Sequence, residues 1–124
     1  MRDRVLVVDD SEVFLRAAAS IISATDSLRL VGPARSGEEA VRLLPQLDPD
    51  LVLLDVNLPG IDGIETARRI REQSPRTVVI LISAEPEGFE ASGLAAGAVT
   101  LLDKRDFNAQ ALEALWLEHR PATT

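Results

Sequence analysis

At 124 residues the chain is sized for one domain closing a single core. Hydrophobic residues make up 46%, which excludes a disordered chain, and aromatics only 3%, so the core must be built from Val, Leu, Ile and Ala. A net charge of −7 argues against direct nucleic-acid binding, and the absence of cysteine removes disulfides, thiol chemistry and thiolate metal sites.

Val5 to Val8 is an apolar, β-branched run that ends in Asp9-Asp10, and it reads as a buried strand. Ser11 is placed to cap a helix of about four turns, with Phe14, Ala17, Ala18, Ile21 and Ile22 at helical spacing up to Ala24 or Thr25. Leu28 to Val31 is a short strand, closed by Gly32-Pro33. Ser36 and Glu39 form a capping box ahead of a helix carrying Ala40, Val41, Leu43, Leu44 and Leu47, which Pro45 should end or kink. Leu51 to Asp55 is the stretch on which the rest is organised: four apolar residues, an acid, then the turn dipeptides Pro59-Gly60 and Asp62-Gly63. A helix follows from Ile64 to Gln73, with Ile64, Ala67 and Ile70 inward and Glu65, Arg68, Arg69, Arg71 and Glu72 outward, closed by Ser74-Pro75. Thr77 to Ile82 is a fourth buried strand reaching Ser83. Pro86 to Ala96 should be the least firmly held helix, because Gly88 and Gly93 each cost about 1 kcal/mol relative to Ala. Val99 to Leu102 is a fifth strand reaching Asp103-Lys104, and Phe107 to His119 is the last helix, with His119 as a cation in its final turn and Trp116 in the core.

Strand and helix thus alternate five times with short connections, which implies a parallel sheet covered by helices on both faces. The longest apolar run, Val78 to Ile82, is far short of the roughly 20 residues that span a bilayer, and Met1 to Arg4 leads into a strand with no apolar signal-peptide core. A cytoplasmic setting without membrane contact is expected.

Parallel strands would bring Asp9, Asp10, Asp55, Ser83 and Lys104 to one sheet edge. In the doubly wound order 2-1-3-4-5 the first and third strands are neighbours, so Asp10 and Asp55 would lie close together. Carboxylates so placed repel unless a cation sits among them, and oxygen donors favour Mg²⁺, which needs only one or two carboxylates. A carboxylate beside such an ion suits phosphoryl acceptance, with Lys104 paired to one phosphoryl oxygen and the Ser83 hydroxyl donating to another.

Val7-Val-Asp9-Asp10, Leu53-Leu-Asp55, Leu58 to Gly63, Ser83-Ala84, and Lys104 after Gly97-Ala98 together resemble the receiver domain of a two-component response regulator, from Arg4 to about His119. The resemblance implies the flavodoxin-like fold with five helices and one receiver domain over residues 1–124, with 120–124 as a tail. It implies Asp55 as phosphoacceptor; Asp10, Asp55 and the Asn57 backbone carbonyl as Mg²⁺ ligands, with Asp9 acting through water; and Ser83, Lys104 and the Ala84 backbone as the phosphate-binding switch. It implies a sensor histidine kinase or phosphotransfer protein as phosphoryl donor. Asn57 and Glu85 resemble the pair that flanks the site in chemotaxis regulators, and they are expected to tune dephosphorylation. Two positions depart from the family. Leu101 stands where a Tyr or Phe switch residue is usual, and Arg105 follows the lysine where Pro is common. Lys104-Arg-Asp106 is similar instead to receivers with helix-turn-helix output domains.

The chain is read as a single-domain regulator or an excised receiver. It is not an enzyme on a separate metabolite, although it would catalyse its own phosphorylation and dephosphorylation. Three rivals remain: a small Mg²⁺-dependent phosphatase, disfavoured because Asn57 replaces the acid expected two residues after the nucleophile; a nucleotide or flavin binder, disfavoured because Asp9-Asp10 repel phosphate; and a docking module that works unphosphorylated, which Leu101 keeps alive. The output partner is not legible. Leu112, Leu115, Trp116 and Leu117 form a broad apolar stripe that suggests a partner or homodimer surface.

Overall fold

The computed structural model describes residues 2–122; Thr123 and Thr124, the end of the expected tail, lie outside the described residues. Five strands, β1 (Asp3–Val8), β2 (Leu28–Ala34), β3 (Leu51–Asp55), β4 (Val78–Ser83) and β5 (Thr100–Asp103), alternate with α1 (Glu12–Ser23), α2 (Gly37–Leu47), α3 (Gly63–Gln73), α4 (Glu90–Ala95) and α5 (Ala109–His119). All neighbouring strands pair in parallel, in the order β2-β1-β3-β4-β5. This is the expected doubly wound, flavodoxin-like sheet.

The strand sequences explain the layering. Side chains alternate across a strand, so a run apolar at every position feeds two cores. Leu6, Val8, Val52, Leu54 and Leu81 pack on the face covered by α2, α3 and α4. Val5, Val7, Leu51, Leu53, Ile80 and Ile82 pack on the opposite face, beneath Leu15, Ala18 and Ile22 of α1 and Leu112 and Trp116 of α5. Each fully buried Val, Leu or Ile side chain among them contributes roughly 1.5–3 kcal/mol by removal from water. Trp116 is in the core as expected, and its indole N–H donates to the Asp3 carboxylate at 2.8 Å.

Five expectations need correction. β2 runs through Gly32-Pro33 to Ala34 instead of closing at Val31. It is an edge strand, where a missing N–H is tolerated, and its register against β1 slips between Val5 and Leu6. The helix carrying Pro45 continues to Leu47 and stops at Asp48 in a left-handed cap (φ 44°, ψ 59°). α4 is one short turn-and-a-half, Glu90–Ala95, not Pro86 to Ala96; Gly88 takes φ +90° in the preceding turn. The last helix starts at Ala109, because the Asn108 side chain accepts from the Ala111 N–H as its N-cap, and Phe107 precedes it. The apolar stripe on α5 is also narrower than expected: Leu112 and Trp116 are buried, Leu115 is half-buried, and Leu117 is exposed.

Ser11, Ser36 and Asp62 are the N-caps of α1, α2 and α3, accepting from the backbone N–H groups of Phe14, Glu39 and Glu65. The Asp62-Gly63 pair is thus a helix start, not only a turn. The Glu39 carboxylate reaches back to the Arg35 N–H at 2.7 Å, one residue before the cap of the expected box. These caps fix where each helix leaves the carboxyl edge of the sheet.

Candidate functional site

The three buried strands β1, β3 and β4 deliver Asp9, Asp55 and Ser83 to one edge, each at or next to the last strand residue. Asp9 is fully buried, Asp55 is 6% exposed and Ser83 is fully buried, whereas Asp10 is exposed at the mouth. One carboxylate oxygen from each of Asp9, Asp10 and Asp55 lies within 4.8 Å of the others. Lys104, in the 3₁₀ turn Lys104–Asp106 after β5, projects across this edge. Its ammonium is 2.7 Å from Asp9 Oδ2 and 3.8 Å from Asp55 Oδ1. Asp9 Oδ1 accepts from the Ser11 N–H at 2.8 Å, so both oxygens of this buried acid are engaged.

Burial pushes the Asp55 carboxyl up from 3.8 to about 6, and the charges of Asp9 and Asp10 add to the rise; Lys104 and the Asn57 backbone N–H oppose it. An acid this close to two others, with one ammonium among them, is short of positive charge.

The loop after β3 is held tightly. The Val56 N–H donates to the Ile82 carbonyl at 3.0 Å, and the Gly63 N–H donates to the Val56 carbonyl at 2.9 Å. A Cβ at Gly63 would stand 2.2 Å from the Asp55 carbonyl oxygen, so only glycine lets α3 start this close to the acceptor strand. Asn57 is exposed in this loop, and Ala84 and Glu85 are exposed after β4. Ser83 Oγ accepts from the Glu85 N–H at 3.0 Å, which fixes the start of the β4–α4 loop. Leu101 is half-buried and packs against the α2–α3–α4 core. Asp9, Asp10, Asp55 and Lys104 therefore come together as the sequence implied.

Two features were not read from the sequence. Lys104 takes Asp9, not Asp55, as its nearer acid. Its ammonium also lies over the Phe14 ring, 4.5 Å from the centroid. Helical spacing alone places Phe14 on the apolar face of α1, although its place one helical turn after Asp10 puts it on the side of the acids.

Residues 5–115 match the response regulator receiver domain. The chain belongs to the response regulator receiver domain family. Its sequence is 40% identical over 122 residues to a protein-glutamate methylesterase/protein-glutamine glutaminase of Syntrophus aciditrophicus, covering 90% of this chain and 34% of that protein. It is 36% identical over 115 residues to the response regulator GacA of Pseudomonas viridiflava, covering 92% of this chain and 54% of that protein. The chain spans about a third or less of the length of the first methylesterase relatives it matches. Among solved structures it resembles the signal receiver domain of the putative response regulator NarL from Mycobacterium tuberculosis, with a TM-score of 0.86, 32% identity and 94% of each chain covered. It also resembles the Borrelia burgdorferi CheX–CheY–BeF3–Mg²⁺ complex, with a TM-score of 0.85 and 30% identity over 96% of this chain and 90% of that one. The receiver is the phosphorylation-dependent signalling module of two-component systems. No helix among the described residues of this receiver is long and apolar enough to cross a membrane.

Proposed function

We propose that Asp55 accepts a phosphoryl group and that its phosphorylation state switches a partner-binding surface of this receiver. One observation carries the reading: a carboxylate at the end of a central strand, in reach of two further acids and 3.8 Å from an ammonium. An Asp55 oxygen forms the bond to phosphorus while the phosphorus–nitrogen bond of a donor phosphohistidine breaks; the electron pair stays with the imidazole, which takes up a proton. The products are an aspartyl phosphate and a free histidine. Lys104 moves toward a phosphoryl oxygen, and the Ser83 hydroxyl and Ala84 N–H at the head of the β4–α4 loop donate to others. Closure of that loop alters the surface presented by α4 and β5.

The donor set fits Mg²⁺. It is all oxygen, its members lie within 4.8 Å of one another, the exposed Asp10 offers an entry, and three acids against one ammonium leave a deficit that a divalent cation meets. Asp10, Asp55 and the Asn57 carbonyl would hold it, with Asp9 acting through water. When bound, the metal neutralises charge on the transferring oxygens.

The chain acts as one receiver domain with a core of about residues 4–119. A sensor histidine kinase or phosphotransfer protein is the donor. The domain works in the cytoplasm, turns over no separate metabolite, and catalyses only its own phosphorylation and dephosphorylation. Asn57 and Glu85 flank the site and orient the attacking water, so the aspartyl phosphate is short-lived. A second reading, docking without phosphorylation, is favoured by Leu101 standing in β5 without an aromatic ring.

Incubation with acetyl phosphate and Mg²⁺ followed by intact mass measurement tests the main reading. One added phosphoryl group, absent in Asp55→Asn, supports it; no gain, or an equal gain in Asp55→Asn, overturns it.

A further inference from the structure

The backbone of Lys104 is held by the end of β5 and by the 3₁₀ turn that follows it, but its long side chain must still be ordered to reach the acids, and a lysine has much freedom to lose. An ammonium has three N–H donors and no acceptor, and three groups surround this one. Asp9 Oδ2 is 2.7 Å away, Asp55 Oδ1 is 3.8 Å away, and the centroid of the Phe14 ring is 4.5 Å away. The side chain of Lys104 is 22% exposed, so water screens these contacts incompletely. The residue is anchored at both its main chain and its ring. The Phe14 backbone N–H donates to the Ser11 cap at 3.3 Å, and the ring packs on that of Phe107 with centroids 5.5 Å apart and planes tilted by 35°. Phe107 stands immediately after the 3₁₀ turn that carries Lys104. The two rings therefore tie the start of α1 to the segment that positions the lysine.

We propose that Phe14 is a positioning residue for Lys104. The face of its ring carries negative electrostatic potential and draws the ammonium into the gap between Asp9 and Asp55 before a phosphoryl group arrives. A leucine at this place would fill much of the volume and still pack on Phe107, but it would leave the ammonium free to swing into solvent. The lysine would then find the phosphoryl oxygens less often, and transfer would slow without loss of the fold. The effect on transfer rests on Asp55 being the acceptor; the ring–ammonium contact does not.

Two measurements test this separately. The first is a double-mutant cycle of Phe14→Leu and Lys104→Met, read as the unfolding constant in urea without metal. Replacing Phe14 should raise that constant about three- to tenfold more when Lys104 is present than when it is Met. Additive effects would overturn the contact. The second is the maximal rate of phosphoryl gain from acetyl phosphate with Mg²⁺, read by intact mass. Phe14→Leu should lower it about three- to tenfold, and Phe14→Tyr, which keeps the π face, should stay within about twofold of wild type. A Phe14→Tyr protein as slow as Phe14→Leu, or an undiminished Phe14→Leu effect in the Lys104→Met background, would overturn the positioning role. If Phe14→Leu fails to fold, Phe14→Met takes its place in both measurements. Failure of wild type to gain a phosphoryl group would strike the acceptor assignment and not the cycle, which requires no phosphorylation.

Discussion

Lys104 makes its short ion pair with Asp9, at 2.7 Å, across an edge in which β3 and β4 stand between their strands. Asp9 is fully buried, so its charge is the one that most needs a partner. Removing the ammonium strands that charge. Lys104→Met is expected to cost about 2–4 kcal/mol at pH 7 without metal, and adding Asp9→Asn to it should restore most of the loss. Urea unfolding of the two single variants and the double variant checks this; an equal loss in single and double variants would show that Asp9 does not depend on Lys104.

Asp55 sets a pH dependence of opposite sign to the usual acidic pair. Its carboxyl is pushed up from 3.8 to about 6, so the folded state holds the proton more tightly than the unfolded chain. This group's contribution is therefore most favourable below pH 4, declines as pH rises from about 4 to 6, and is flat above. Two pH units correspond to about 3 kcal/mol. Asp55→Asn should gain up to about that much at pH 7.5 without metal and nothing at pH 3.5. The exposed Glu12 and half-buried Glu65 and Asp103 carboxylates are held below their ordinary values by hydrogen bonds from Arg35, from Arg69 and Arg68, and from Arg105; they act in the reverse sense and cancel in the difference between the two proteins. Stability against pH for wild type minus Asp55→Asn is the measurement, and a difference that does not change between pH 3.5 and 7.5 contradicts it.

Most of the fold was legible because each of the buried strands is a run of apolar residues with an acid or hydroxyl at its end, a pattern only a sheet covered on both faces can use. Asp9, Asp10, Asp55 and Lys104 were legible for the same reason: parallel topology turns positions along the chain into one edge. What the sequence did not yield was decided by neighbours far along the chain. Gly32-Pro33 reads as a terminator, yet the edge position of β2 removes the need for the missing donor. The segment Pro86 to Ala96 is the exception, decided locally: Gly88, its weak point in the sequence, takes φ +90° in the turn before α4, which runs only from Glu90 to Ala95. Phe14 looked like core because helical spacing reports which face a residue occupies and not what reaches it from β5. The broad stripe on α5 shrank because Leu115 and Leu117 lie on different sides of the helix from one another.

The three acids should make metal and stability interdependent. Mg²⁺ at a hundred times its dissociation constant is expected to add about 2.7 kcal/mol to unfolding, and chelation should remove it. Asp10→Ala should abolish most of this gain while costing the metal-free protein little, because Asp10 is exposed. Bound metal should also flatten the Asp55 pH dependence, since a cation favours the ionised carboxylate. Thermal unfolding with Mg²⁺ and with chelator reads both; a full Mg²⁺ gain in Asp10→Ala would remove that residue from the ligand set.

Gly63 and Gly88 separate close packing from backbone freedom. Gly88 has φ +90° and open space around it, so Gly88→Ala should cost only about 1 kcal/mol, through strain. Gly63 has no such φ, but an added Cβ meets backbone: the Asp55 carbonyl oxygen at 2.2 Å and Val56 Cα at 2.6 Å. Backbone cannot step aside as a flexible side chain would, so Gly63→Ala should cost about 3 kcal/mol and shift Asp55 relative to Asp9 and Lys104. Phosphoryl gain should consequently slow by at least about tenfold in Gly63→Ala and stay near wild type in Gly88→Ala, because misplacing a reacting group by a fraction of an ångström has that effect. Urea unfolding and acetyl phosphate kinetics on both variants decide it, and a Gly63→Ala protein with unaltered kinetics would mean that the start of α3 does not position the acceptor.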